Sequence, residues 1–207
     1  MRQNKQLIVF RIATGVFFFM SGLCFSSWSS RIPEMQEGLG LSTPAWGNVL
    51  LASPVGSFIM IPVAGACIIK FGSRAVMLSA VILYAAMLCM LAFSTELWQF
   101  VLSLFFYGGA ANLLNISVNT QASGVEKLYG NSIMASFHGL WSLAGFCGAY
   151  TGNFMIRNNI SPLNHFMLIA SFIIIFSIIV FRFANRQDGG RAGSPLLILP
   201  DASLLLL

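Results

Sequence analysis

The sequence predicts an all-α fold of six membrane-spanning helices, arranged as two inverted three-helix units. Three observations carry that reading. Of 207 residues, 57% are hydrophobic and only 8% are charged, against roughly 25% charged in an ordinary soluble domain. The mean hydropathy is +0.82, so a water-soluble surface could not be covered with the charges available. The apolar residues fall into six runs, each close to the roughly 20 residues that cross a bilayer core as helix. This composition excludes a cytoplasmic enzyme, a disordered tail and a disulfide-built secreted domain.

The six runs are Leu7–Ser29, Ala45–Phe71, Ala75–Phe93, Leu97–Val125, Ser132–Ile156 and Pro162–Phe183. In lipid the backbone must satisfy its own hydrogen bonds, so each is expected to be helical. Strands of alternating polarity are absent, which excludes a barrel. Thr43-Pro44 and Ser161-Pro162 read as helix starts. Gly72-Ser73 and Gly130-Asn131 separate spans 2 from 3 and 4 from 5. Pro54 and Pro62 are expected to kink span 2. Gly145, Gly148 and Gly152 permit close packing of span 5. The first run is too long for a cleavable signal peptide.

Charge sets the orientation. Nine of the eleven basic residues (Arg2, Lys5, Arg11, Lys70, Arg74, Lys127, Arg182, Arg186 and Arg191) fall on one side of the six spans. Arg31 and Arg157 fall on the other. The positive-inside rule then makes the amino terminus cytoplasmic, in a multi-pass protein of a bacterial inner membrane. Trp28, Trp46 and Trp98 gather at the opposite interface as an aromatic belt would. The net charge of +5 reports topology rather than nucleic-acid binding. Residues 1–184 form the six-helix unit and 185–194 a cytoplasmic linker. The apolar stretch 195–207 reads as the start of a truncated seventh span. Cys24, Cys67, Cys89 and Cys147 lie inside apolar runs without metal-ligand spacing, so neither metal nor cofactor is expected.

An internal repeat supports the two units. Phe18-Phe19-Met20-Ser21-Gly22 is echoed by Phe105-Phe106-Tyr107-Gly108-Gly109, and Ala52-Ser53 with Gly56 by Ala135-Ser136 with Gly139. Three spans invert the topology, and inverted repeats are common in transporters.

The junction of spans 2 and 3 runs Gly65, Lys70, Gly72, Arg74, and this spacing resembles the signature loop of the major facilitator superfamily. Ser27-Trp28-Ser29-Ser30-Arg31-Ile32-Pro33-Glu34, the Leu39-Gly40-Leu41-Ser42 stretch and Ser136-Phe137-His138-Gly139-Leu140-Trp141 look like a bacterial branch close to the fucose-permease group. The resemblance covers the chain as the amino-terminal half of a twelve-helix transporter. It implies secondary transport of a small polar solute by alternating access, a sugar-like solute first and drug-like amphiphiles second. It also implies proton symport and a second six-helix half, on the same or another chain. Spans 1 and 4 would line the cavity, 2 and 5 would move against the partner half, and 3 and 6 would face lipid. Two departures matter. Ile69 stands where the family's loop carries an acid, and Asn115 stands where the fucose-permease group carries a carboxylate in span 4.

The candidate site follows from polarity inside the spans. Asn112, Asn115 and Asn119, continued by Ser123 and Glu126, lie on one face of span 4. Buried amides are costly unless paired, so this stripe either glues helices or lines a cavity. Amides offer donor and acceptor together, which suits an uncharged polyhydroxyl solute. His138 is the ionisable side chain lying clearly within a span, a functional candidate by default, with helix packing as the alternative. Trp141 could stack on a ring or simply pack. Ser21, with Met20 and Cys24, could face the cavity from span 1. Arg31 could steer anions or pair with Glu34 or Glu37. Gly65, Lys70, Gly72, Arg74 and Glu126 form a candidate cytoplasmic latch, with Glu126 replacing the missing acid at position 69. An intramembrane protease would need a serine motif that Met20-Ser21-Gly22 does not complete, so no enzyme is expected. A channel or membrane scaffold remains the other class of reading.

Overall fold

The structure is a computed structural model, and it describes residues 2–186. The linker beyond residue 186 and the apolar stretch 195–207 lie outside the described residues. Eight helices follow in order: α1 (Arg2–Ser29), α2 (Ile32–Gly38), α3 (Thr43–Leu50), α4 (Ala52–Phe71), α5 (Ser73–Phe93), α6 (Leu97–Tyr129), α7 (Met134–Arg157) and α8 (Pro162–Phe181). The six expected spans are present as α1, the α3–α4 pair, α5, α6, α7 and α8, and no strand occurs among the described residues. Five of them are long and apolar enough to cross a membrane. The exception, α7, is long enough but carries His138, Asn153 and a run of glycines and serines.

The differences from expectation have local causes. Span 2 breaks at Leu51, three residues before Pro54, whose ring cannot sit against the preceding turn of an unbroken helix. Helix α3 is capped by Ser42 rather than Thr43: the Ser42 hydroxyl accepts from the Ala45 N–H at 3.5 Å. The start of α8 is as read, with Ser161 Oγ accepting from the Asn164 N–H at 3.3 Å. Gly72 joins α4 to α5 at φ 81°, and Gly130 ends α6 at φ 70°, a conformation that disfavours side chains with a Cβ. The short α2 was not legible as a helix; Pro33 in its first turn fixes the start. Of the expected tryptophan belt only Trp98 is exposed. Trp28 and Trp46 are buried, both packed on Phe100 with ring centroids 5.8 and 5.4 Å away.

Helix pairing has the symmetry of an inverted repeat. The two most extensive interfaces are α4 with α6 and α1 with α7, and these exchange when the first three spans are swapped with the last three. Both crossings are made by small residues. A Cβ on Gly22 would lie 2.4 Å from the Trp141 carbonyl oxygen, and one on Gly56 would lie 1.9 Å from that of Phe105. Both are also tied by serine, since Ser26 Oγ donates to Ala144 O at 3.3 Å and Ser57 Oγ to Gly108 O at 2.9 Å. Contacts of this kind hold helices together where lipid removes any hydrophobic drive between them. The core runs through α5, whose Met77, Ala80, Val81, Ala85 and Leu88 are fully buried between α6 and α8.

Candidate functional site

Because α1 and α6 each cross close to a partner through glycine, the residues beside those crossings are held at a shared face. There the structure forms a cavity of about 390 Å3, within the usual range for small-molecule sites. Its lining includes Ser21, Asn112, Asn115, His138 and Trp141, together with Phe18, Phe25, Ser57 and Tyr84. Five of the six residues singled out as solute contacts therefore share one cavity. The sixth, Asn119, lies in an adjoining groove of about 460 Å3 that shares Asn115 and runs along α6 past Thr120 and Ser123 to Lys127. Met20 and Cys24 are buried in the core instead.

The hydrogen bonds fix which amide atoms remain for other partners. Asn112 Nδ2 donates to Ser57 O at 2.6 Å, tying α6 to α4. Asn119 Nδ2 donates to Asn115 Oδ1 at 2.6 Å and to Asn115 O at 2.8 Å. Asn112 Oδ1 and Asn115 Nδ2 are thus left without protein partners among the described residues, one an acceptor and one a donor. The glue and cavity readings of the asparagine stripe are both partly true, since each amide does one job with each end. His138 meets the edge of Phe18 at 5.4 Å between centroids, and Trp141 tilts over Phe25 at 5.8 Å. No carboxylate, lysine or arginine lines the chamber, which has aromatic walls with amide and hydroxyl groups among them.

The expected latch residues have other partners. Glu126 Oε2 accepts from the Ile133 and Met134 N–H groups, each at 2.8 Å, so it caps α7 across the Gly130 turn rather than reaching Lys70 or Arg74. The sequence hid this role because an acid eight residues before a helix lies outside any local capping pattern. Lys70 sits 5.1 Å over the ring of Phe71. Arg74 donates to Phe181 O at 2.9 Å and lies 4.2 Å over its ring, joining α5 to the end of α8. Behind it, buried Gln121 donates to Ser73 Oγ at 2.8 Å. Replacing Glu126 with alanine is expected to cost about 1 kcal/mol through loss of the cap, read as a lower unfolding midpoint in detergent, with Glu126→Gln recovering part of it.

A second polar cluster was only partly legible in the sequence. Arg31 is 1% exposed. Its Nε donates to His165 Nδ1 at 3.2 Å, one Nη to Ile160 O at 2.8 Å and the other to Glu34. Of the two expectations for Arg31, the pairing with Glu34 is present. His165 is fully buried, so His138 is not alone as an ionisable group within the bundle.

Helices long and apolar enough to cross a bilayer, paired with inverted symmetry beside a shared cavity, define a multi-pass membrane protein. The chain belongs to the major facilitator superfamily, whose family model matches residues 12–200. It is 28% identical to an uncharacterised MFS-type transporter of Yersinia pestis over 95% of this chain and 51% of that protein. It is 24% identical to an uncharacterised transporter of Sinorhizobium fredii over 92% of this chain and 51% of that one. The membrane protein MosC of Rhizobium meliloti is likewise 24% identical, over 89% and 44%. The chain spans about half the length of the curated relatives it matches.

Proposed function

We propose that this chain forms one half of a secondary transporter that carries a small, uncharged polar solute by alternating access. A sugar or sugar derivative is the solute class favoured. The observation that carries the reading is the cavity itself, where a free amide acceptor on Asn112 and a free amide donor on Asn115 face aromatic walls without a fixed charge. A polyhydroxyl solute can meet both amide ends at once, and the chemistry would repel neither its hydroxyls nor its ring faces. The groove from Asn119 to Lys127 gives a polar way toward the end where α1 begins and α8 ends. In this reading that end is cytoplasmic, the membrane is a bacterial inner membrane, and a second six-helix half closes the cavity. His138 brings to the cavity lining the side-chain type best suited to gaining and losing a proton near neutrality, which makes it the candidate for proton coupling in the absence of a carboxylate. The latch role of Gly65, Lys70, Gly72 and Arg74 stays with the turn they form, with Glu126 acting on the neighbouring α6–α7 turn.

The test is uptake of labelled sugars into vesicles containing the chain together with a second six-helix half. Saturable uptake is expected, with Asn115→Ala lowering it about tenfold, the worth of one solute hydrogen bond. His138→Ala should remove its pH dependence. Unchanged uptake in both variants would overturn the site, and conductance without saturation would overturn the carrier reading.

A further inference from the structure

At the end of the bundle where α1 begins and α8 ends, a second cavity of about 580 Å3 opens. One wall is apolar, made by Leu7 and Phe10 of α1 and Leu128 at the end of α6. The rim is polar and basic, made by Gln6, Arg182 and Arg186, and no carboxylate among the described residues lines it. The wider field has the same sign among the described residues. Among the described residues the acids are Glu34, Glu37, Glu96 and Glu126. The first three lie at the opposite end, and Glu126 is held by the α7 cap. Lys5 and Lys127 stand on the same side as the two rim arginines.

We propose that this cavity binds an anionic phospholipid of the surrounding bilayer, its phosphate on Arg182 and Arg186 and its glycerol and upper acyl region along Leu7, Phe10 and Leu128. A guanidinium matches a phosphate with two parallel hydrogen bonds. Basic pockets between membrane helices recognise anionic headgroups in this way. The juxtaposition of an apolar wall with a basic rim, at the level where the helices leave the membrane, selects a lipid over a free phosphate, which would use only the rim. The site is separate from the central cavity and shares no residue with it.

The experiment measures thermal unfolding of the purified chain in mixed micelles. Phosphatidylglycerol is expected to raise the midpoint by about 5 °C relative to phosphatidylcholine at the same lipid content. The double variant R182Q/R186Q should lose that difference, and R157Q, at the opposite end, should keep it. If the double variant does not elute as a single folded species, R186Q alone carries the test, since Arg186 is exposed at the margin of the bundle. An equal rise with phosphatidylcholine would overturn the proposal. So would an undiminished rise in the arginine variant, or the whole rise reproduced by inorganic phosphate without lipid.

Discussion

Arg31→Ala is expected to destabilise the folded chain by about 3 kcal/mol and to free the carboxyl-terminal end of α1 from α8. The guanidinium joins three separate pieces of chain: Glu34 in α2, the Ile160 carbonyl in the turn between α7 and α8, and His165 in the first turn of α8. Removing it leaves His165 Nδ1 without a donor in a fully buried side chain, and the Ile160 oxygen without one at a part-buried position. Each such buried group costs about 1–3 kcal/mol. The ion pair with Glu34 contributes little, because the carboxylate side is 44% exposed and exposed pairs are worth about 0–1 kcal/mol. The series therefore separates the terms. Glu34→Gln should be close to neutral, His165→Ala intermediate and Arg31→Ala most severe, read from unfolding midpoints in one detergent. Equal losses for Glu34→Gln and Arg31→Ala would mean that the ion pair, and not the buried bonds, holds the corner. Gly152 lends the site room, since a Cβ there would come 3.7 Å from the imidazole and 2.1 Å from Ser30 Oγ. Gly152→Val should reproduce part of the Arg31 defect by pushing the same elements apart.

The reach of the sequence follows a physical pattern. Long apolar runs, proline and glycine punctuation and basic-residue placement each report on the chain locally, so the six spans were legible to within a few residues. The asparagine stripe was legible as well, because the helical period alone puts Asn112, Asn115 and Asn119 on one face of α6. What it could not give was the choice between glue and cavity. That depends on Ser57, far away along the chain, which takes one end of Asn112 and leaves the other. His165 was missed, and the full partner sets of Arg31 and Glu126 were not foreseen, for the same reason. Each is defined by a partner distant in sequence or across a turn, and an arginine between two spans looks like a solvated charge until the fold surrounds it. Trp28 and Trp46 show the reverse error. Their position in sequence suits the interface, yet Phe100 from α6 draws both rings inward.

Gly56→Leu and Gly108→Val are expected to abolish the folded bundle, the largest effect of any single change in the chain. At this crossing α4 and α6 approach so closely that a Cβ on Gly56 would lie 1.9 Å from the Phe105 carbonyl oxygen. A Cβ on Gly108 would lie 2.0 Å from that of Ser53. The obstructing atoms are backbone, so no rotamer change can relieve the clash and the helices must separate. Separation breaks Ser57 Oγ to Gly108 O and Asn112 Nδ2 to Ser57 O together, leaving polar groups unpaired in a medium without water. Overpacking alone costs about 1–3 kcal/mol, and these losses add to it, so even Gly56→Ala should be poorly tolerated. Gly139 and Gly145 provide the control within α7, because a Cβ at either would meet no atom within 4 Å. Alanine there should be neutral or stabilising by up to about 1 kcal/mol through helix propensity alone. Yield of monodisperse protein and its unfolding midpoint measure both sets. If Gly56→Ala and Gly139→Ala behaved alike, close backbone approach would not be what fixes α4 on α6. The placement of Asn112 beside the central cavity would then need another cause.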